Sequence, residues 1–246
     1  MSKIKSELSE IRKEESSLTK PIMLQRGFEN RFDKSDLILP HAKLMQAMSP
    51  ELAENLPELK VGSTINSLTK KVLSGEFIPV FVYKTWARFN SRNPGDSNYD
   101  SDFEPGETIW KSSNPLDLRV QEQAQFGSDG EKPLATTFMN FFSYFPESPM
   151  PIIISFSKSS YKTGKLLLSL AKFSGADMFS KKYKLTSAME TNSSGTFAVL
   201  KVTPVGESSP EEFKLCENLW SDFSGRTRDI KVAEEYPADE LPEKRL

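Results

Sequence analysis

The chain has 246 residues, of which 27% are charged and 37% hydrophobic, with 16 prolines and a formal net charge of −2. That length supports a real core, and that polarity predicts long loops and flexible ends. No run approaches the roughly 18 apolar residues of a membrane span and no apolar signal core opens the chain, so no membrane contact is expected. A single cysteine, Cys216, excludes an intramolecular disulfide and suits a reducing cytosol, and with only one histidine the usual structural zinc sites are excluded as well.

The small net charge hides segregation. Residues 147–205 carry eight lysines against three acids, whereas residues 93–131 carry two basic and nine acidic groups. Residues 206–246 carry six basic and eleven acidic groups. An acidic total is therefore compatible with a basic binding face.

Residues 1–25 read as an extension, with a weakly amphipathic helix over 3–18 carrying Ile4, Leu8, Ile11 and Leu18 on one side. Residues 26–225 read as one globular domain. Near its start Asp36 suits a turn, Pro40 the opening of a short helix, and Leu44, Met45 and Met48 its apolar side. His41 has no partner pattern and reads as a packing or surface residue. Residues 61–75 suggest a strand pair leading into Phe77–Phe89, which is the strongest β signal in the chain. Alternation puts Phe81, Tyr83 and Thr85 on one face of that strand and Val80, Val82 and Lys84 on the other, with a bulge expected near Trp86.

Residues 90–131 form a long acidic insertion holding a weak strand at Thr108–Lys111. Aromatic strands follow at residues 134–145 and 151–157, then a helix from Ser159 to Ser174 stopped by Gly175. A hairpin is expected from Tyr183–Ala188 and Gly195–Val205. A helix over Pro210–Phe223 should be capped by Ser209, with Phe213, Leu215, Cys216, Leu219, Trp220 and Phe223 on its apolar side. Residues 226–246 read as a disordered acidic tail.

No Walker A loop, GxGxxG, GxSxG or HExxH is present, and one histidine leaves little for nucleophilic or general-base chemistry. Asp96–Glu107 places oxygen donors at calcium-loop spacing, but Ser101 stands where the sharp turn requires glycine. A solvated acidic loop, no metal and no cofactor are expected.

Aromatic residues recur on predicted strands, and lysines recur nearby in sequence. That combination suits stacking of bases in a basic groove. The candidate nucleic-acid contacts on the first strand are Tyr83, Lys84, Trp86, Arg88 and Phe89; Phe142 and Tyr144 come from the second. Lys158, Tyr161, Lys162 and Lys165 follow from the helix, and Lys181, Lys182 and Lys184 from the hairpin. The plain alternative for each is a core aromatic or a solvating lysine.

The runs Gly27-Phe28-Glu29-Asn30, Asp36–Pro40, Lys43–Glu51 and Phe77–Trp86 resemble a family of bacteriophage early proteins. Ile154–Lys158, Lys165 and Tyr183–Thr186 extend the likeness over roughly residues 25–223. Some members of that set are taken to be single-stranded DNA-binding proteins of replication and recombination. Such proteins commonly end on an acidic tail with a terminal aromatic residue. The tail here closes instead on Lys244-Arg245-Leu246.

The expectation is a mainly β (α+β) domain with an OB-like barrel core over about residues 55–205, flanking helices and flexible termini. Its expected function is non-catalytic, sequence-independent binding of single-stranded DNA in the host bacterial cytoplasm, alongside phage replication or recombination proteins. Self-association as a homo-oligomer is compatible with that role. The alternatives are an adaptor or inhibitor that binds a host or phage protein, a small virion component, and, more remotely, a metal-dependent nuclease.

Overall fold

In the computed structural model the described residues belong to one compact unit, Leu37–Leu246. The structure describes residues 38–54, 58–192 and 195–224, with the backbone alone at 231 and 232. The expected helix over 3–18 and most of the expected tail lie outside the described residues.

The elements follow in chain order as β1 (Ile38–Leu39), β2 (Ala42–Leu44), β3 (Thr64–Asn66), β4 (Glu76–Phe89), β5 (Thr108–Ser112) and α1 (Leu118–Gln123). Then come β6 (Thr136–Tyr144), β7 (Ile152–Phe156), α2 (Tyr161–Phe173), β8 (Lys181–Asn192), β9 (Gly195–Glu207), α3 (Pro210–Phe223) and β10 (Lys231–Val232). The domain is mainly β with a few helices, as the aromatic and β-branched runs predict. The barrel, however, does not close. The main sheet runs β7-β6-β4-β8-β9, with β5 as a further partner of β4, so β7 and β9 are its two ends and do not pair with each other.

β4 is the strand the others share. Its start, Glu76 and Phe77, pairs with β8; its length from Ile78 to Ala87 pairs with β6; and Trp86 to Phe89 pair with β5. Pro79 has no N–H for the ladder, and the register against β6 shifts between Pro79 and Phe81. This bulge lies earlier in the strand than the irregularity expected near Trp86, which has its own counterpart on the β5 side. It also corrects the expected faces, because Val80 joins Ile78 and Phe81 in one core. A second shift, between Arg88 and Phe89, lies on the β5 side. Just before the strand, Gly75 adopts φ +93°, and a Cβ there would stand 2.3 Å from the Leu185 carbonyl oxygen. The Leu185 N–H donates to the Gly75 carbonyl at 2.6 Å, so β8 meets the start of β4 at backbone contact.

Two cores lie on the two faces of this sheet. One gathers Phe77, Phe141, Phe156, Tyr183 and Leu200 around Leu167 of α2. Gly164 lets α2 approach this closely, since a Cβ there would meet the Phe156 Cβ at 2.8 Å. The other gathers Ile78, Phe81, Phe142 and Ile153 beneath Phe213, Cys216, Leu219 and Phe223 of α3. That helix starts on the expected cap: the Ser209 hydroxyl accepts from the Glu212 N–H, and the Glu212 carboxylate accepts from the Ser209 N–H.

Three local expectations need correction. Residues 38–44 form strands, not a helix, because the Pro40 carbonyl accepts the Ile153 N–H at 2.9 Å and His41 bridges Ile153 in parallel. The free edge of β7 outweighs the local apolar spacing. Residues 118–123 form a helix inside the insertion, started by Asp117, whose carboxylate accepts from the Arg119 N–H. Within the region expected as a disordered tail, Lys231 and Val232 pair in parallel with Ile38 and Leu39.

Glu51, in a short 3-10 turn, ties this N-terminal part together. It is buried, and one of its oxygens accepts from Lys43 Nζ at 2.9 Å and from Lys70 Nζ at 3.1 Å. Burial opposes its charge, but the Lys43, backbone and Lys70 hydrogen bonds outweigh that and hold the carboxyl down at about 2. The folded value lies below the ordinary 4.5, so this stabilisation is complete above pH 4.5 and is lost as pH falls toward 2. Acid titration of Glu51→Gln should therefore show a flatter loss of stability across that window than wild type. Equal slopes would show that the triad contributes nothing. Where β8 meets β4, Gly75→Ala should cost at least about 1–3 kcal/mol in denaturant unfolding, through overpacking and a strained φ; an unchanged midpoint would mean that β8 can withdraw from β4 freely.

Candidate nucleic-acid interface

The second half of β4 carries the densest group of sequence-predicted contacts, and strand alternation divides it between two faces. Tyr83 and Thr85 lie on the face that α3 covers farther back. Lys84, Trp86 and Arg88 point to the opposite side. Trp86 is half-buried against Trp110, Val120 and Ala135. Arg88 sits opposite Trp110 in the register. Lys84 is exposed.

On the α3 side, the helix-covered core reaches Tyr83 and Phe142. Phe142 is 0% exposed, stacked 4.6 Å from Phe81 and 5.2 Å from Phe223. It offers no face to a base, which removes it from the candidate contacts. Tyr83 is half-buried beside Phe81, and burial pushes its phenol well above the ordinary range. Tyr144 packs on the same core, its phenol raised first by burial and then by Glu212, Cys216 and Glu147. Both tyrosines are half-buried against this core.

Farther along this face the covering stops. Phe89 is 38% exposed and meets Phe138 edge-to-face at 6.3 Å. Lys111 of β5 pairs with Ala87 and so shares that face, and its side chain is exposed. Beside the two rings runs a polar row across three strands. The Ser155 hydroxyl donates to Asn140 Oδ1 at 2.7 Å, and Asn140 Nδ2 donates to Thr85 Oγ1 at 2.9 Å. Phe138 and Lys111 are contacts that the sequence-based list lacks. Phe138 belonged to a recognised aromatic strand, but nothing in the linear pattern set it beside Phe89.

The lysines separate into groups. β4 and β7 both run antiparallel to β6, so their C-terminal ends share one end of the sheet. Lys158, just past β7, therefore lies at the same end as Lys84 and Phe89; it is exposed, with φ +46°. Lys165 Nζ sits 5.5 Å from the ring centroid of the half-buried Tyr161. Lys162 and Lys201 share Glu190, at 3.3 and 2.7 Å. Those two contacts hold the Glu190 carboxyl below its ordinary value, the Lys201 hydrogen bond contributing most. Lys181 and Lys182 pair with Glu207 and Glu212, at 2.6 and 3.2 Å. They and the exposed Lys184, which sits opposite Glu76, belong to the start of β4, away from Phe89. The structure thus places Lys181, Lys182 and Lys184 apart from the β4 group. Among the described residues, Lys84, Arg88, Lys111 and Lys158 have no carboxylate partner.

The acidic insertion borders this platform and is fastened to it by one side chain. Asn90, 3% exposed, donates from Nδ2 to the carbonyls of Asp100 and Phe103 at 2.8 Å and of Glu104 at 3.2 Å. Its Oδ1 accepts from the Asp100 N–H at 2.8 Å, and its own N–H donates to the Glu107 carbonyl. Three carboxylates of the calcium-like stretch turn into the loop itself: Asp96 accepts from Ser91 and Asn93, Asp100 from the Asp102 N–H, and Glu107 from the Glu104 N–H; Asp102 and Glu104 are exposed. Among the described residues no three His, Cys, Asp or Glu side chains converge as a metal site.

The family model for Pam3 phage gp34-like protein matches residues 13–229. The chain belongs to that family. The match carries the resemblance to bacteriophage proteins across nearly all of the chain, including every residue of the platform. No curated protein and no solved structure matches the chain. Among the described residues no helix is long and apolar enough to cross a membrane.

In this gp34-like chain the loop geometry has a measurable consequence. Asn90→Ala should leave three carbonyls without their shared donor and cost about 1–3 kcal/mol of stability. It should also raise hydrogen exchange at the Asp100 and Glu107 amides before it affects β6. Exchange that stays at the wild-type rate in the loop would show that its own turns suffice to hold it.

Proposed function

We propose that this phage protein binds single-stranded DNA without sequence preference and without catalysis, acting in the host cytoplasm alongside replication or recombination proteins. The observation that carries the reading is the platform at one end of the sheet. There the exposed Phe89 meets the half-buried Phe138, the Thr85–Asn140–Ser155 row lies beside them, and Lys111 shares their face; Lys158 stands at the same end of the sheet, and Lys84 and Arg88 project from its opposite face, all four with no carboxylate partner among the described residues. Stacking on exposed rings is tolerant of sequence, and unpaired lysines release counterions when they meet phosphates. An open antiparallel sheet suits this use, since one uncovered stretch of a face is enough to hold a strand.

A second reading, of an adaptor that binds another protein, draws on Leu116, Leu118 and Phe126. These large apolar side chains of the insertion are 70–74% exposed.

Fluorescence titration with an oligothymidine strand at two salt concentrations tests the first reading. Phe89→Ala should lose about 1–3 kcal/mol of binding with its melting temperature nearly unchanged. Lys111→Ala should weaken binding uniformly across sequences and reduce the salt slope by about one. Phe142→Ala should behave differently, losing about 3–5 kcal/mol of folding stability. Wild-type affinity in both surface variants, or equal affinity for duplex and single strand, would sink the platform.

A further inference from the structure

Two exposed apolar surfaces of opposite charge lie outside the platform. One surrounds α1: Leu116, Leu118 and Phe126 are 74%, 70% and 72% exposed. Residues 116–131 around them hold four acids and one arginine, and that arginine is already paired with Asp117 at 2.8 Å. The other is the outer face of α2. Leu166 and Phe173, seven residues apart and so on one side of the helix, are 50% and 87% exposed. The helix carries Lys162, Lys165 and Lys172 and no acid.

We propose that the protein associates with copies of itself head to tail, the apolar and acidic surface around α1 of one copy seating on the apolar and basic face of α2 in the next. Each surface has the combination that marks a contact site, large apolar groups exposed beside charge. The two are complementary in sign, which favours joining one to the other and disfavours either meeting its own kind. Because the joined surfaces differ, the contact is heterologous, and every added copy presents a fresh surface of each type. Assembly therefore extends into a ring or a filament. It does not depend on the nucleic-acid reading, since neither surface includes Phe89, Phe138 or Lys111.

Sedimentation of the full chain over a concentration series, with two double variants, provides the test. Wild type should show a mass that rises with concentration and falls back toward the 27.8 kDa monomer in high salt. Leu118→Gln/Phe126→Gln and Leu166→Gln/Phe173→Gln should each remain monomeric with wild-type melting temperatures, because all four side chains are exposed. An equimolar mixture retains one intact surface on each variant, and it should form a species of twice the monomer mass and nothing larger. A wild type that stays monomeric throughout would overturn the proposal, as would a variant that associates like wild type. A mixture that stays monomeric would overturn the head-to-tail arrangement.

Discussion

The constraint on which the structure depends is that one strand, β4, satisfies three partners at once. Its fourteen residues are longer than either neighbour needs, and each stretch of its backbone is claimed by a different strand. A proline without a donor at position 79 and a glycine with positive φ at position 75 bracket the place where β8 pairs with it. Through that short pairing the β8–β9 hairpin brings Tyr183, Leu185, Leu200 and Val202 into one core with Phe141 and Phe156.

Openness creates edges, and the structure blocks them with side chains. On β9, the Ala198 N–H donates to Gln46 Oε1 and the Ala198 carbonyl accepts from Gln46 Nε2, both at 2.9 Å. Two residues on, the Leu200 N–H donates to Ser160 Oγ at 3.1 Å and its carbonyl accepts from Thr163 Oγ1 at 2.8 Å. One amide and two hydroxyls thus occupy backbone groups that another strand would otherwise use. On β7, the chain around Pro40 and His41 does the same work through its backbone. The β7 and β9 edges are thus covered without closure into a barrel.

The same division of faces determines where recognition is physically open. Helices α2 and α3 cover most of the aromatic surface, which is why aromatic density alone overstates the number of residues free to stack. What they leave is the strand end where β4 passes from β6 to β5. There the Phe89 edge and Lys111 stand beside a loop in which Asp96, Asp100 and Glu107 accept from its own turns, while Asp102 and Glu104 are exposed. Of the candidate lysines, the adjacent pair Lys181 and Lys182 is tied to carboxylates on β9 and α3. Clustering in sequence is therefore a poor guide to free charge.

Much of the fold was legible in the chain. The runs of aromatic and β-branched residues located β4, β6, β7 and the β8–β9 hairpin; the Ser209-Pro210 start and the Gly175 stop bounded two helices, because caps and periodicity are local physics. The mainly β class followed from those elements. The segment around Pro40 was read as helical because its apolar spacing fits a turn, and only the vacant edge of β7, more than a hundred residues away, makes it extended. Closure into a barrel, the early bulge, the burial of Phe142 and the pairing of Phe89 with Phe138 were likewise decided by tertiary contacts. Each depends on which backbone hydrogen bonds remain unsatisfied after distant strands have met, and on which ring a helix comes to cover. Residue type and spacing carry the preference for strand or helix; they do not carry the identity of the neighbour, and the neighbour determines whether an aromatic ring is core or surface.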